Sequence, residues 1–323
     1  MKFTTPINIK PNKTIDHNSR ILMLGSCFTE NIGKKLIESG LNVVMNPMGI
    51  LYNPISIYTA LERIIDGREF TDSDLFFHNG LWASFMHHGS FSHSDKNEAL
   101  RMMNERLHEG HEQLKNATHL IITFGSAEVY EISDSQYFIS TTTQRIVSNC
   151  HKLPSRNFTN RLLSIDEITT PYTQLSTFNS KLSTLNSKLS TIFTISPVRY
   201  LGNGAHSGQI NKSTLLLATD QICQKTKADY FPAYEIMMDE LRDYRYYAAD
   251  MIHPSEIAVD YIFERFTETY FTPEAIRTAK EVQKIKKSLS HRPLHPDSEE
   301  YKKFQKKLLQ QIDDITKKYP VQF

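Results

Sequence analysis

Tryptophan occurs once and cysteine three times in these 323 residues. Cys27, Cys150 and Cys223 are an odd number, far apart and without metal-ligand spacing. That excludes a disulfide framework and argues against a zinc site. No apolar run approaches the ~20 residues of a transmembrane helix, and the stretch from Met1 to Pro6 lacks the apolar core of a signal peptide. Charge of one sign is missing as well. The formal net charge is +1, which gives no electrostatic ground for a nucleic-acid or membrane partner. These absences lead to the expectation of a cytoplasmic protein with neither partner.

What is present suits a packed core: 39% hydrophobic and 23% charged residues. Ile21–Leu24 reads as a buried strand and Glu30–Ser39 as the helix after it. Val43–Met45 is a second strand, followed by a turn and an amphipathic helix over Ile55–Ile65. Residues 69–95 are aromatic and irregular, an expected insertion. A helix follows over Asn97–Lys115. Ala117–Phe124 and Thr191–Ser196 are further buried strands, with a hairpin excursion expected over Val129–Ile146 and a helix beginning within Leu162–Ile168. Ser213–Lys225 and Ser255–Thr267 read as helices, with Asp229–Phe231 a short edge strand. Strands alternating with helices predict a three-layer α/β/α sandwich around a parallel sheet. We expect one domain over residues 1–271 and a charged helical extension over 272–323. A tandem seven-residue repeat over 175–192 has too few copies for a coiled coil and reads as a short duplication ahead of a strand.

In such folds ligands sit beyond the carboxyl ends of the strands. Gly25-Ser26, Asn46–Gly49, Gly125–Glu128 and Ser196-Pro197 all fall there. Ser26 stands on a strand-to-helix turn, where backbone N–H groups of the helix start point into the same space. A neutral serine needs a base. Asp250-Met251-Ile252-His253-Pro254 offers one: His253 to move the proton and Asp250 to fix its tautomer. The N–H groups of Ser26, Gly49 and Gly125 are candidate oxyanion donors. Cys27 is a competing nucleophile, because a helix start lowers a thiol pKa, although a small buried residue is the plainer reading.

Other groups carry weaker signals. Glu128 reads as a catalytic carboxylate or as an ion-pair partner of Arg199. Arg199 reads as a contact for an anionic substrate group or as half of an internal pair. His87, His88 and His93 with Asp95 match no strong ligand pattern, so no metal is expected. Gly202–Gly208 misses the dinucleotide fingerprint by one residue, so no cofactor is expected, and His206 within it is a candidate substrate contact, as are Asn46 and His88.

The run Gly25-Ser26-Cys27-Phe28-Thr29-Glu30-Asn31-Ile32-Gly33 closely resembles the signature of the GSCFA domain family, with Thr29 where Ala is usual. The resemblance continues through Asn46–Gly49, Trp82 with His87-His88, Thr123–Tyr130, Asn149–Lys152, Ser196–Arg199, His206, Tyr234–Arg245 and Asp250–Pro254. That family is similar to the SGNH/GDSL hydrolases. This similarity implies a flavodoxin-like sandwich and a triad matching Ser26, His253 and Asp250. It also implies an oxyanion donor matching Gly49, and ester substrates such as acetylated sugars, lipids or thioesters. Two departures stand out. The Asp before the nucleophile is absent, and so is the oxyanion Asn after the third main strand, where Gly125-Ser126-Ala127-Glu128 stands. Losing that donor would cost about 3–4 kcal/mol of transition-state stabilisation unless Ser126 or Asn46 replaces it. The expected function is a serine esterase acting on an O-acyl ester, O-acetyl included, of a small molecule or carbohydrate. The alternatives are an O-acyltransferase with the same triad and a non-catalytic carbohydrate-binding or scaffold protein. Hydrolysis and transfer differ in water exclusion and acceptor binding, which these motifs do not encode.

Overall fold

The computed structural model describes residue 7, residues 9–133, 145–175, 181–290 and 298–321, and residue 323. Strand β1 (Arg20–Gly25) leads into α1 (Cys27–Glu38), then β2 (Asn42–Met45) and α2 (Pro54–Asp66). Local chemistry sets these boundaries. Ser26 caps α1 by accepting from the Phe28 N–H. Asn53 caps α2 with Pro54 next to it, and Gly67 at φ 61° ends it. The hairpin β3 (Phe76–His78) and β4 (Leu81–Ala83) lies inside the aromatic insertion. Helix α3 (Lys96–Asn116) precedes β5 (His119–Phe124), and β6 (Glu128–Ile132), β7 (Ile146–Val147) and β8 (Phe158–Leu162) form a separate antiparallel sheet. After them come α4 (Ile165–Leu175), α5 (Lys181–Leu185), β9 (Ser190–Ile195), α6 (Gly204–Thr226) and β10 (Asp229–Phe231). A single turn α7 (Ala233–Glu235), then α8 (Glu256–Tyr270), α9 (Pro273–Leu289) and α10 (Glu299–Lys318) complete the chain.

The main sheet is parallel, in the order β10-β9-β5-β1-β2. Counted along the chain its own strands run 2-1-3-4-5, a doubly wound order whose switch point lies between β1 and β5. Strand side chains alternate between the faces. Leu22, Leu24, Leu120, Ile122, Phe124, Phe193 and Ile195 join one core, with α2, α3, α4 and α6. Ile21, Met23, Ile121 and Ile192 join the other, with α1, α8 and α9. Two buried cores on opposite faces of one sheet make the expected three-layer sandwich. The extension continues the second layer. Ala275 and Ala279 of α9 pack with Ile262 and Phe266, while Val282 and Ile285 meet Leu308 and Ile315 of α10.

Three expectations shift. The Val129–Ile146 excursion pairs β6 with β7 at its ends, and its middle, 134–144, lies outside the described residues. Residues 176–180 of the tandem repeat do so too; the remainder supplies the last residue of α4, then α5, the turn after it and the start of β9. Helix α6 starts at Gly204 rather than Ser213. Glycine-rich composition reads as loop by propensity, but packing requires Gly208 in the helix. A Cβ there would stand 2.2 Å from the Tyr200 carbonyl oxygen. The earlier start puts Asn211 and Lys212 on the buried face with Leu215, Thr219 and Ile222.

Candidate active site

Gly25 has φ 146°, and a Cβ on it would lie 2.3 Å from the Thr123 carbonyl oxygen. Only glycine lets β1 end this close to β5. Ser26 is thereby set at the switch point, 1% exposed, with its Oγ accepting from the Phe28 N–H at 3.3 Å. Ser26 and His253 line one cleft of about 440 Å³ with Cys27, Tyr52, Gly125, Ser126, Glu128 and Arg199. No hydrogen bond joins Ser26 to His253 here. Such contacts are often loose without substrate and tighten in the complex.

The loop before α8 brings the other two groups together. Asp250 Oδ2 lies 2.6 Å from His253 Nδ1, and Oδ1 accepts from the N–H groups of Ile252 and His253 at 2.9 Å each. Met251 takes φ 58° to allow the turn. The hydrogen bond from the His253 ring, then those from the His253 and Ile252 N–H groups, hold the Asp250 carboxyl down at about 2. It is therefore ionised at neutral pH and fixes the imidazole with Nε2 free to act.

The candidate oxyanion donors separate into two groups. Gly49 gives its N–H to the Asn46 carbonyl, and its Cα faces His88, where a Cβ would sit 2.4 Å from that side chain's Cβ. The N–H groups of Gly125 and Ser126 both donate to the Tyr52 carbonyl, at 2.8 and 3.0 Å. These three amides are committed to holding the turns. The Ser26 N–H belongs to the turn directly after the last β1–β5 pair, Gly25 with Thr123. The Ser126 Oγ accepts from Asn211 Nδ2 at 2.8 Å and from the Glu128 N–H at 3.0 Å. Its own proton is free to point into the cleft.

Asn46 does not line the cleft; its Oδ1 accepts from the Gly25 N–H at 2.9 Å behind the serine turn, and its Nδ2 is buried without a partner. Glu128 is not paired with Arg199. It accepts from Tyr200 Oη at 2.7 Å and Asn203 Nδ2 at 2.8 Å. Arg199 gives its guanidinium to the Met251 carbonyl at 3.0 Å and its N–H to that of Ile252 at 3.0 Å. His88 caps a short turn by accepting from the Ser90 N–H. His206 is exposed in the first turn of α6 and lines neither this cleft nor its neighbour. Cys27 lines the cleft, but burial pushes its thiol up, against the pull of the Phe28 and Cys27 N–H groups. A thiol so placed is protonated at neutral pH. Among the described residues no group of three His, Cys, Asp or Glu side chains could hold a metal ion, and no helix is long and apolar enough to cross a membrane.

Sequence reasoning missed Lys212. It is 3% exposed, and its Nζ donates to the carbonyls of Gly125 and Ser196 at 2.8 Å each. Burial pushes it down to about 7. The available signal was a lysine at helical spacing from Gly208, Leu215 and Thr219, on a face otherwise free of charge.

A model of the GSCFA family matches residues 20–266. A second, of the GSCFA domain protein, C-terminal domain, matches residues 282–322. No curated protein matches the chain.

Proposed function

The chain belongs to the GSCFA family, and from that premise we propose that it is a serine esterase hydrolysing an O-acyl ester, O-acetyl included, of a small molecule or carbohydrate. The observation carrying this reading is the shared cleft at the switch point, lined by both Ser26 and His253, with His253 clamped by an ionised Asp250. Ser26 Oγ attacks the acyl carbon while His253 Nε2 takes its proton. The alkoxide leaves with that proton, and water repeats the sequence on the acyl-enzyme. The Ser26 N–H and the Ser126 hydroxyl stabilise the oxyanion, the hydroxyl standing in for the missing Asn. Asn211 and the Glu128 N–H fix that hydroxyl. Similarity to the SGNH hydrolases enters as part of this proposal. The unpaired cysteines fit a reducing cytoplasm, the compartment we assign to the activity.

The test is labelling with a fluorophosphonate probe. Wild type should label at Ser26, and Ser26→Ala and His253→Ala should not, whereas Cys27→Ala should. A folded wild type that stays unlabelled, or labels equally without Ser26, overturns the esterase. Adding a sugar acceptor to a turnover assay with an acyl ester separates transfer from hydrolysis.

A further inference from the structure

A second cavity of about 280 Å³ lies beside the first, and Arg199 and Tyr200 line both. Its other walls are the buried face of α6 at Gly208 and Lys212, the turn Met237-Met238, and the segment Arg242–Tyr247. Its charge is lopsided. Arg199, Lys212 and Arg242 line it, against one carboxylate, Asp243. Asp243 is already held by the N–H and guanidinium of Arg245. Arg242 is 81% exposed, with Asp239 3.7 Å away, so its charge is available. Lys212 is the telling member. It forms no ion pair among the described residues, and two of its three N–H donors go to carbonyls. A buried ammonium without an anion is costly unless a ligand supplies one.

The remaining lining is aromatic. Tyr200, Tyr234, Tyr244 and Tyr247 face the space, and Tyr244 is 67% exposed. Arg199 lies over the rings of Tyr244 and Tyr247, at 5.7 and 5.4 Å. Residues Ile236–Glu240 form a π-helical turn, a rare conformation that is frequent at functional sites. Flat rings beside Arg199 and Lys212, neither of them in an ion pair among the described residues, suit a sugar ring carrying an anion.

We propose that this second cavity binds the anionic sugar of the substrate, a carbohydrate bearing a carboxylate or phosphate, with its acyl ester reaching across Arg199 and Tyr200 to Ser26. The charge goes to Lys212 and Arg242, and the ring packs on Tyr244 and Tyr247. The assignment deepens the esterase reading and rests on it for the word substrate; binding itself does not require catalysis.

Calorimetric titration of Ser26→Ala protein tests it with four probes: glucuronate, glucose 6-phosphate, glucose and inorganic phosphate. At least one anionic sugar should bind about tenfold or more tighter than glucose and than inorganic phosphate. Which one binds names the anion. Tyr244→Ala and Arg242→Ala, both at exposed positions, should each weaken that binding about tenfold, and Lys212→Met should weaken it further. Equal binding of glucose, equal binding of bare phosphate, no binding of either anionic sugar, or unchanged affinity in Tyr244→Ala and Arg242→Ala overturns the proposal. Labelling without sugar binding removes the second cavity and leaves the esterase. Sugar binding without labelling does the reverse.

Discussion

The guanidinium of Arg199 lies 3.0 Å from the carbonyl oxygen of Met251, so the loop that carries Asp250 and His253 hangs from a residue just past β9. A second tie, from the Arg199 N–H to the Ile252 carbonyl, belongs to the backbone and survives any substitution except proline. The side-chain tie does not. Arg199→Ala should therefore loosen the imidazole without unfolding the protein. We expect fluorophosphonate labelling to slow by about 10- to 100-fold, since small misplacements of a catalytic group are expensive. Arg199→Lys should recover only part, because a point charge cannot reach the carbonyl and lie flat over Tyr244 at once. Labelling rates equal to wild type in Arg199→Ala would remove Arg199 from any role in holding this loop.

Ser126 is fixed from two sides, by Asn211 Nδ2 and the Glu128 N–H. If its hydroxyl supplies the oxyanion bond that the missing Asn would make, Ser126→Ala should slow acylation by about 10²-fold. The same change strands the buried Asn211 amide and should cost about 1–2 kcal/mol of stability. Urea unfolding separates the two effects. Destabilisation with an undiminished acylation rate would make Ser126 structural alone.

The sheet was legible because its strands are short apolar runs bounded by turn residues. Ile21–Leu24 and Ala117–Phe124 could be placed without knowing their partners. The position of Ser26 between β1 and α1 and the pairing of Asp250 with His253 were legible from a turn and a local spacing. What was not legible is which carbonyl the N–H groups of Gly49 and Gly125 already meet. Tyr52, the acceptor for Gly125, carries no pattern that announces it. Lys212 was hidden by its glycine-rich surroundings, which read as loop until the contact of Gly208 with Tyr200 shows why a helix needs a glycine there.

Thr29 stands where the family resemblance expects alanine. Its Oγ1 is buried and has no hydrogen-bond partner, and the residue is 0% exposed. Removing an unsatisfied hydroxyl recovers roughly 1–3 kcal/mol, while the lost methyl gives back about 1 kcal/mol. Thr29→Ala should thus leave stability unchanged or raise it by up to about 2 kcal/mol, read as a shift in the urea midpoint. A loss above about 1 kcal/mol would mean that the hydroxyl has a partner in solution, an ordered water being the simplest.

His87 gives the protein a built-in sensitivity to acid. Its ring is fully buried, 4.5 Å from Phe70 and 4.9 Å from Phe91 between centroids, and neither nitrogen has a partner. Burial, then the charges of His151 and Arg63, push its protonation down to about 3. An unfolded histidine takes up its proton near 6.5. Between those values the unfolded chain holds a proton that the folded one refuses, so stability falls as pH falls, by up to about 1.4 kcal/mol per unit. His119, pushed down to about 4 by burial and by Lys13, acts in the same direction. Replacing His87 with leucine removes one of these two contributions and keeps the other. Between pH 7 and pH 4.5, urea unfolding should show wild type losing about 2 kcal/mol more than His87→Leu. Equal losses would mean that the ring finds water, or a charge partner, in the folded protein.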